Sequence, residues 1–207
     1  VLDGKIARLQ SAIDARAPLT RREMESWRST LTGSRTSWPL ASGLEKDLAK
    51  ILYDIDDRFT VSARVQSTAV PHGAVWSRMS YSPRCRGLGL YAKQGKLHVL
   101  ITSDYVVDAI RLNSIVALAA GRAYNVLLTY SGSRMAEGIH VYVDGAEVEM
   151  EAELDSLYRP LGNAGKAFKE PFRIGEGGGP ENKFNGVVSD VTVYSRVLSG
   201  EEIAALA

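Results

Sequence analysis

The chain has 207 residues, of which 45% are hydrophobic and 24% are charged, and its formal net charge is +1. This length is enough to bury a substantial core, and the near-neutral charge gives no electrostatic footprint for nucleic acid or for an acidic membrane. A single cysteine, Cys85, excludes an internal disulfide and a cysteine-based zinc site. No apolar run approaches the roughly 20 residues of a membrane-spanning helix.

The N-terminal segment has a helical pattern. Apolar residues recur at helical spacing over residues 2–13, and Thr20-Arg-Arg-Glu23 has the form of a capping box that opens a second helix. We therefore predict a helical segment over residues 1–33, interpreted as the tail of a preceding domain. Residues 34–53 are predicted to be a linker that ends in a short helix.

From residue 54 onward the pattern is that of an all-β domain. Short runs of alternating side chains are separated by glycines, and no βαβ alternation is present. The pattern predicts an antiparallel β-sandwich of jelly-roll type over residues 54–207. The predicted strands lie at 59–65, 74–79, 88–91, 96–101, 106–112, 124–130, 172–174 and 185–194.

Two local signals are specific. Residues 139–143 alternate, and Asp144-Gly145 follows, which predicts a β-hairpin because a type I′ turn needs positive φ at both central residues. Near the C-terminus, Ser199 and Glu202 have the spacing of a capping box. This spacing predicts a short final helix, with Leu198 and Ile203 as its hydrophobic staple.

An acidic run, Glu147–Asp155, raises the question of glycoside hydrolysis. Its glutamates at 147, 149, 151 and 153 alternate with apolar residues, which predicts one shared strand face. A retaining glycosidase needs two carboxyl groups about 5–5.5 Å apart. A solvated strand face is the favoured interpretation, a cation site and catalysis are the alternatives, and we expect the protein not to be an enzyme.

A glycine-rich loop spans Gly175–Asn182. It lacks the Gly-Lys-Ser/Thr ending of a phosphate loop and precedes a strand, so we interpret it as a conformational loop, with a ligand-binding edge as the alternative. Aromatic residues elsewhere would stack on sugar rings if they were exposed, although aromatic side chains in a sandwich usually pack in the core. These residues are Trp76, Tyr81, Tyr91 and Tyr105.

Four segments resemble, in order, the laminin-G-like form of the concanavalin A-like lectin/glucanase superfamily: 124–133, 138–145, 172–175 and 184–199. The resemblance implies a non-catalytic binding or interaction module, with a polysaccharide or glycan as the expected ligand. A structural spacer without a small ligand is the alternative. A glycoside hydrolase is disfavoured, because the acidic run lacks the central aspartate of the Glu-x-Asp-x-x-Glu motif of the glucanases.

A narrower resemblance rests on residues 76–79, 86–91, 108–111 and 175–182. These segments resemble the laminin-G-like module within large secreted planctomycete-type cytochrome-C-like proteins. The resemblance implies an extracytoplasmic parent, periplasmic or secreted, whose flanking domains are partners of this one. Since the chain begins at Val1 without a methionine and shows no signal peptide, we expect it to be part of a longer protein.

From these segments we predict a binding site formed by Trp76, Arg78, Tyr91, Glu176, Glu181 and Asn182. Laminin-G-like domains often hold a calcium ion, and the resemblance points to Asp190 as the transferable ligand position. A structural hydrogen-bonding role for Asp190 is the favoured alternative. No other cofactor, no nucleic-acid partner and no membrane span are expected.

Overall fold

The computed structural model describes residues 54–81, 85–162, 168–179 and 183–207, together with the backbone of residues 38–39. The predicted helices in residues 1–33 and 44–53 lie outside the described residues, as do Glu181 and Asn182. No helix in the described part of the chain is long and apolar enough to cross a membrane.

The described residues form strands, a single 3-10 turn at Ala136–Gly138 and a short helix at Gly200–Ala204. In chain order the strands are β1 (Trp38–Pro39), β2 (Phe59–Gln66), β3 (Gly73–Met79), β4 (Gly87–Lys93), β5 (Lys96–Asp104), β6 (Asp108–Ala117), β7 (Ala123–Tyr130), β8 (Ile139–Val143), β9 (Ala146–Val148), β10 (Met150–Ser156), β11 (Arg173–Ile174) and β12 (Val187–Tyr194). The predicted all-β class is confirmed.

The strands pair into two antiparallel sheets. One has seven strands in the order β1-β11-β3-β4-β5-β6-β10, and the other has five in the order β12-β2-β7-β8-β9. Neighbours that are distant in sequence, such as β12 and β2, show that the chain crosses repeatedly between the sheets. This is the jelly-roll type of sandwich that the alternating pattern predicted.

Alternation along each strand builds the core between the sheets. On β5 the side chains of Leu97, Val99 and Ile101 enter the core, where they meet Val126 and Leu128 of β7. Each such side chain stabilises the fold by about 1.5–3 kcal/mol when fully buried. The opposite side chains of the same strands are therefore available for other contacts.

Both specific local predictions are confirmed. Asp144 and Gly145 have φ values of 49° and 79°, and they join β8 to β9 as a hairpin. Ser199 and Glu202 form the predicted capping box at the start of the final helix. Leu198 and Ile203 are buried in one cluster, as a hydrophobic staple requires.

The acidic run does not form the single strand face that we predicted. Glu147 lies on β9 in the five-stranded sheet, whereas Glu151 and Glu153 lie on β10 in the seven-stranded sheet. Glu149 falls between the two strands, and a bulge between Ala152 and Leu154 breaks the alternation again. The chain thus changes sheets in the middle of the acidic run, which separates its carboxylates.

One segment of the predicted linker belongs to the sheet. The backbone of Trp38 and Pro39 pairs with Ile174 and Arg173 of β11, at one edge of the seven-stranded sheet. A Pro on an edge strand is compatible with pairing, because its missing N–H can face away from the ladder. Residues before position 54 therefore contribute to the sandwich.

Candidate functional site

The outer face of the seven-stranded sheet is the candidate site. Because Ile110 and Leu112 of β6 point into the core, Arg111 and Asn113 point to the opposite side of the sheet. The same alternation places His98 of β5 on that side, directly opposite Asn113 in the β5–β6 register. We call this side of the sheet the outer face.

The glycine-rich loop covers one half of the outer face. A Cβ on Gly177 would lie 1.9 Å from the Oγ of Ser77, and a Cβ on Gly178 would lie 1.9 Å from the carbonyl oxygen of Met79. Gly179 has a φ of 102°, in the region that favours glycine. Consecutive glycines are therefore needed because the loop backbone lies directly on β3.

Tyr91 fastens this loop to the sheet. Its hydroxyl donates to the carbonyl oxygen of Gly178 at 2.8 Å, and its side chain is fully buried. The ring lies over Gly89, where a Cβ would come within 2.7 Å of the Tyr91 ring. The prediction that Tyr91 contacts a ligand is corrected: the loop buries the ring.

Trp76 is also removed from the predicted binding surface. Its side chain is 1% exposed, and its ring stacks on Phe172 with centroids 5.5 Å apart and meets Phe59 edge-on. All three rings belong to the core between the sheets. The sequence could not show this, because Phe59 and Phe172 are far from Trp76 along the chain.

Arg78 is a buried structural residue rather than a ligand contact. Its Nε donates to the carbonyl oxygen of Glu170 at 2.9 Å, and its Nη2 donates to that of Phe168 at 2.6 Å. The guanidinium also lies over the Phe168 ring, 5.0 Å from the centroid. With no exposed surface, Arg78 holds the segment before β11 against the sheet.

Glu176 is the predicted site residue that the structure leaves partly exposed. It lies in the glycine-rich loop, and its backbone oxygen accepts a hydrogen bond from the Oγ of Ser77 at 3.4 Å. Its carboxylate therefore stays a candidate contact at the edge of the outer face. The roles of Glu181 and Asn182, outside the described residues, remain predictions.

The other half of the outer face, which we call the open half, carries a polar and aromatic group of side chains. The guanidinium of Arg111 lies over the Tyr105 ring, 5.0 Å from its centroid. Asn113 donates from Nδ2 to Oε1 of Glu153 at 2.6 Å, while the other oxygen of Glu153 lies 4.0 Å from Nε of Arg111. This Nε is buried and has no hydrogen-bond partner in the part of the chain described.

A second arginine–tyrosine stack lies at the far side of the loop. Arg173 of β11 lies over the ring of Tyr81, 5.2 Å from its centroid, and Tyr81 is 58% exposed. Arg173 also donates to the carbonyl oxygen of Met79 and to Glu170. Its donors are therefore engaged within the protein, so Tyr81 offers a ring but Arg173 offers little hydrogen bonding.

Sequence reasoning did not assign Arg111 and Asn113 to a site, and it considered Glu153 only as part of the acidic run. The signal for the first two was present, since they alternate with Ile110 and Leu112 and must share the face opposite the core. Their contacts with Glu153 of β10 were not predictable from β6, because they depend on the pairing of two strands that are distant in the sequence.

Asp190, the predicted calcium ligand, lies on β12. Asp190 has a φ of 51° at an irregular step of β12, and its carboxylate accepts a hydrogen bond from Ser189. Among the residues described, no three His, Cys, Asp or Glu side chains are grouped closely enough to hold a metal ion. The calcium site at Asp190 therefore stays a prediction.

Comparison with known proteins identifies the family. The laminin-G-type profile of the concanavalin A-like lectin/glucanases superfamily matches residues 46–204, and the chain belongs to this superfamily. A search of curated proteins gave no match.

Several solved structures have a similar fold. The CBM40 of the Ruminococcus gnavus IT-sialidase is 15% identical, with a TM-score of 0.60 over 83% of this chain and 91% of that one. The same module bound to α2,3-sialyllactose gives a TM-score of 0.53, with 15% identity over 72% and 82%. A Trypanosoma rangeli sialidase gives 0.51 at 23% identity over 73% of this chain. This chain spans only 22% of that sialidase, and identities this low show the fold alone.

Proposed function

We propose that the protein is a non-catalytic binding module that holds a glycan on the open half of its outer face. The observation that carries the proposal is the stack of Arg111 on Tyr105 beside the pair of Asn113 and Glu153. Guanidinium, amide and carboxylate groups are planar and can each contact two neighbouring oxygens of a ligand. The Tyr105 ring holds the guanidinium in place beside these groups.

The family and the fold comparisons support a carbohydrate ligand without naming it. The superfamily includes lectins and glucanases, and one similar structure contains α2,3-sialyllactose. We further propose that the module belongs to a larger extracytoplasmic protein, in which flanking domains are its neighbours. The narrower resemblance of residues 76–79, 86–91, 108–111 and 175–182 to a module of large secreted proteins is the basis for that part of the proposal.

The division of the acidic run supports binding over hydrolysis. A retaining glycosidase places two carboxyl groups about 5–5.5 Å apart across one sugar bond. Here Glu147 belongs to one sheet and Glu151 and Glu153 to the other, and Glu153 is hydrogen-bonded to Asn113. We therefore assign Glu153 to positioning Asn113 and Arg111 rather than to proton transfer.

A structural spacer is the second candidate function. It is favoured by the engagement of Asn113 with Glu153, because a side chain that only stabilises a sheet face would make the same contact. The two candidates differ in what happens at Arg111, whose Nε lacks a hydrogen-bond partner in the described part of the chain. Because this Nε is buried, a glycan would contact the rest of the Arg111 side chain, which is 23% exposed, whereas a spacer would make no ligand contact there.

A glycan array followed by calorimetry tests the proposal. The array should hold neutral and acidic polysaccharide fragments, including α2,3-sialyllactose, and we expect binding to at least one class. Arg111→Ala should weaken that binding by about tenfold or more, since hydrogen bonds to a charged group contribute about 1.5–3 kcal/mol. Arg122→Ala is the matched control, because Arg122 lies over Tyr124 in the same way, at 4.8 Å, but at the β8–β9 turn.

Two results would count against the proposal. No binding to any glycan would leave the spacer as the better candidate. Release of reducing sugar from a bound glycan, lost in Glu153→Gln, would show that the module is an enzyme.

A further inference from the structure

We propose that a groove on the side of the sandwich, away from the outer face, is a docking site for a basic, extended segment of a partner polypeptide. The groove has a volume of about 560 Å³ and lies where the chain passes from β9 to β10. This volume is within the range of about 300–1,000 Å³ that is typical of ligand pockets. The site shares no side chain with the proposed glycan site.

The floor of the groove is aliphatic. Leu112 and Ile139 are core residues that reach the groove, and Val148 and Met150 are half-buried beside them. The described lining includes no Phe, Tyr or Trp. A sugar would therefore find no ring to stack on, whereas the aliphatic stem of a lysine, an arginine or a valine would replace water over this floor.

The rim of the groove is acidic. Glu137, Glu147 and Glu149 are exposed at its edges, and Nδ1 of His140 lies 2.7 Å from a carboxylate oxygen of Glu147. No lysine or arginine is among the described lining residues. The carboxylates therefore create a negative potential that favours a cationic occupant.

The strands that border the groove favour a polypeptide over a small cation. β9 is the last strand of the five-stranded sheet, and β10 is the last strand of the seven-stranded sheet. Among the described residues, each of these strands pairs on one side only, so the backbone groups of its other side are not part of a described ladder. An extended segment can add to such an edge through backbone hydrogen bonds while alternate side chains enter the groove.

Fluorescence anisotropy with a labelled peptide of alternating lysine and valine tests this site on the full chain. We expect this peptide to bind, and peptides with glutamate for lysine or serine for valine to bind much more weakly. The double substitution Glu147→Gln with Glu149→Gln should weaken binding by about threefold to tenfold. Glu201→Gln removes the same kind of charge from the exposed start of the final helix and should change nothing.

A variant that fills the groove tests how the shape of the groove, rather than its charge, contributes to peptide binding. Ala152 lines the groove and is exposed, so Ala152→Phe should fold normally and block the floor, with binding weakened by about tenfold or more. Thermal melting checks that this variant is folded. The proposal is overturned if the basic peptide does not bind, if Glu201→Gln weakens binding as much as the groove substitutions, or if a folded Ala152→Phe variant binds with full affinity.

Glycan binding provides an independent readout. Because the groove and the outer face share no side chain, the groove variants should keep the glycan affinity of the unmodified protein. Arg111→Ala should in turn keep the peptide affinity. Failure of one proposal therefore leaves the other one testable.

Discussion

Arg111 lies over the ring of Tyr105, with its guanidinium carbon 5.0 Å from the ring centroid, and its Nε lies 4.0 Å from a carboxylate oxygen of Glu153. Arg122 has a similar ring beneath it but is in direct contact with the carboxylate of Asp144. The stack therefore holds the Arg111 guanidinium in place, while its Nε has no hydrogen-bond partner among the described residues. An arginine fixed in this way loses little conformational entropy when a ligand binds, which is why we place it at the centre of the site.

The Tyr105 ring should be required for glycan affinity through its face rather than its hydroxyl. Tyr105→Ala removes the support of Arg111 and should weaken glycan binding by about twofold to fivefold, in line with about 0.5–1 kcal/mol for an exposed cation–π contact. Tyr105→Phe keeps the ring and should bind nearly as the unmodified protein does. Calorimetry with the array ligand that binds most tightly measures the affinity of both variants. Equal affinities of the two variants and the unmodified protein would contradict the proposed site.

The glycine-rich loop should tolerate no side chain where it lies on the sheet. Gly179 has a φ of 102°, and a Cβ there would lie 2.5 Å from the Tyr91 hydroxyl. Gly179→Ala should therefore lower the free energy of unfolding by about 1–3 kcal/mol, the usual cost of a strained backbone residue. Urea unfolding measures this difference.

Gly200 provides the control for this substitution. A Cβ at Gly200 would meet nothing within 4 Å, and the residue begins the final helix. Gly200→Ala should be neutral or stabilising by up to about 1 kcal/mol. A loss of stability at Gly200 as large as the loss at Gly179 would show that the loop geometry is not the cause.

Local chemistry explains which parts of the fold could be predicted. The turn at Asp144-Gly145 and the capping box of Ser199 and Glu202 depend on residues close together in the chain, and both are confirmed. The strands were recognisable because burial of one face leaves an alternating pattern. The exchange of sheets at Glu149 was not recognisable, because alternation continues through it in the sequence while the partner strand changes.

The site was harder to predict, for a physical reason. Burial of Trp76 and Tyr91 depends on contacts with Phe172 and Gly178, which lie about 90 residues further along the chain. No residue close to Trp76 or Tyr91 in the sequence indicates these contacts. Arg111, in contrast, could have been assigned to the outer face from β6 alone. Its place in the candidate site, however, depends on the approach of Glu153 from β10, which the sequence of β6 does not show.

Tyr130 should contribute to stability through its buried hydroxyl. The hydroxyl donates to the carbonyl oxygen of Ile55 at 2.6 Å and accepts from the backbone N–H of Arg134 at 3.0 Å. Tyr130→Phe leaves both groups without this partner and should lower the free energy of unfolding by about 1–3 kcal/mol. Denaturant unfolding at neutral pH measures the loss, and a change below about 0.5 kcal/mol would contradict the role of the hydroxyl.

Tyr130 should also make the protein less stable at alkaline pH. Burial is the main cause that raises the pKa of Tyr130 from 10.0 to about 12. The unfolded chain therefore releases this proton first, so the stabilisation is complete below pH 10.0 and is lost as the pH rises toward 12. Tyr130→Phe should remove this part of the pH dependence, whereas the exposed Tyr158→Phe should keep it.

The contribution of Glu202 to stability, at the C-terminus, should have the opposite pH dependence. Its carboxylate accepts from both terminal nitrogens of Arg196 and from the backbone N–H of Ser199, and the hydrogen bond from Arg196 is the largest cause that lowers its pKa from 4.5 to about 2. The stabilisation is therefore complete above pH 4.5 and is lost as the pH falls toward 2. Urea midpoints measured between about pH 6 and about pH 2 should fall less steeply for Glu202→Gln than for the unmodified protein. Glu201→Gln, the exposed neighbour, should keep the steep fall, and identical slopes in all three proteins would show that the pair of Arg196 and Glu202 does not stabilise the final helix.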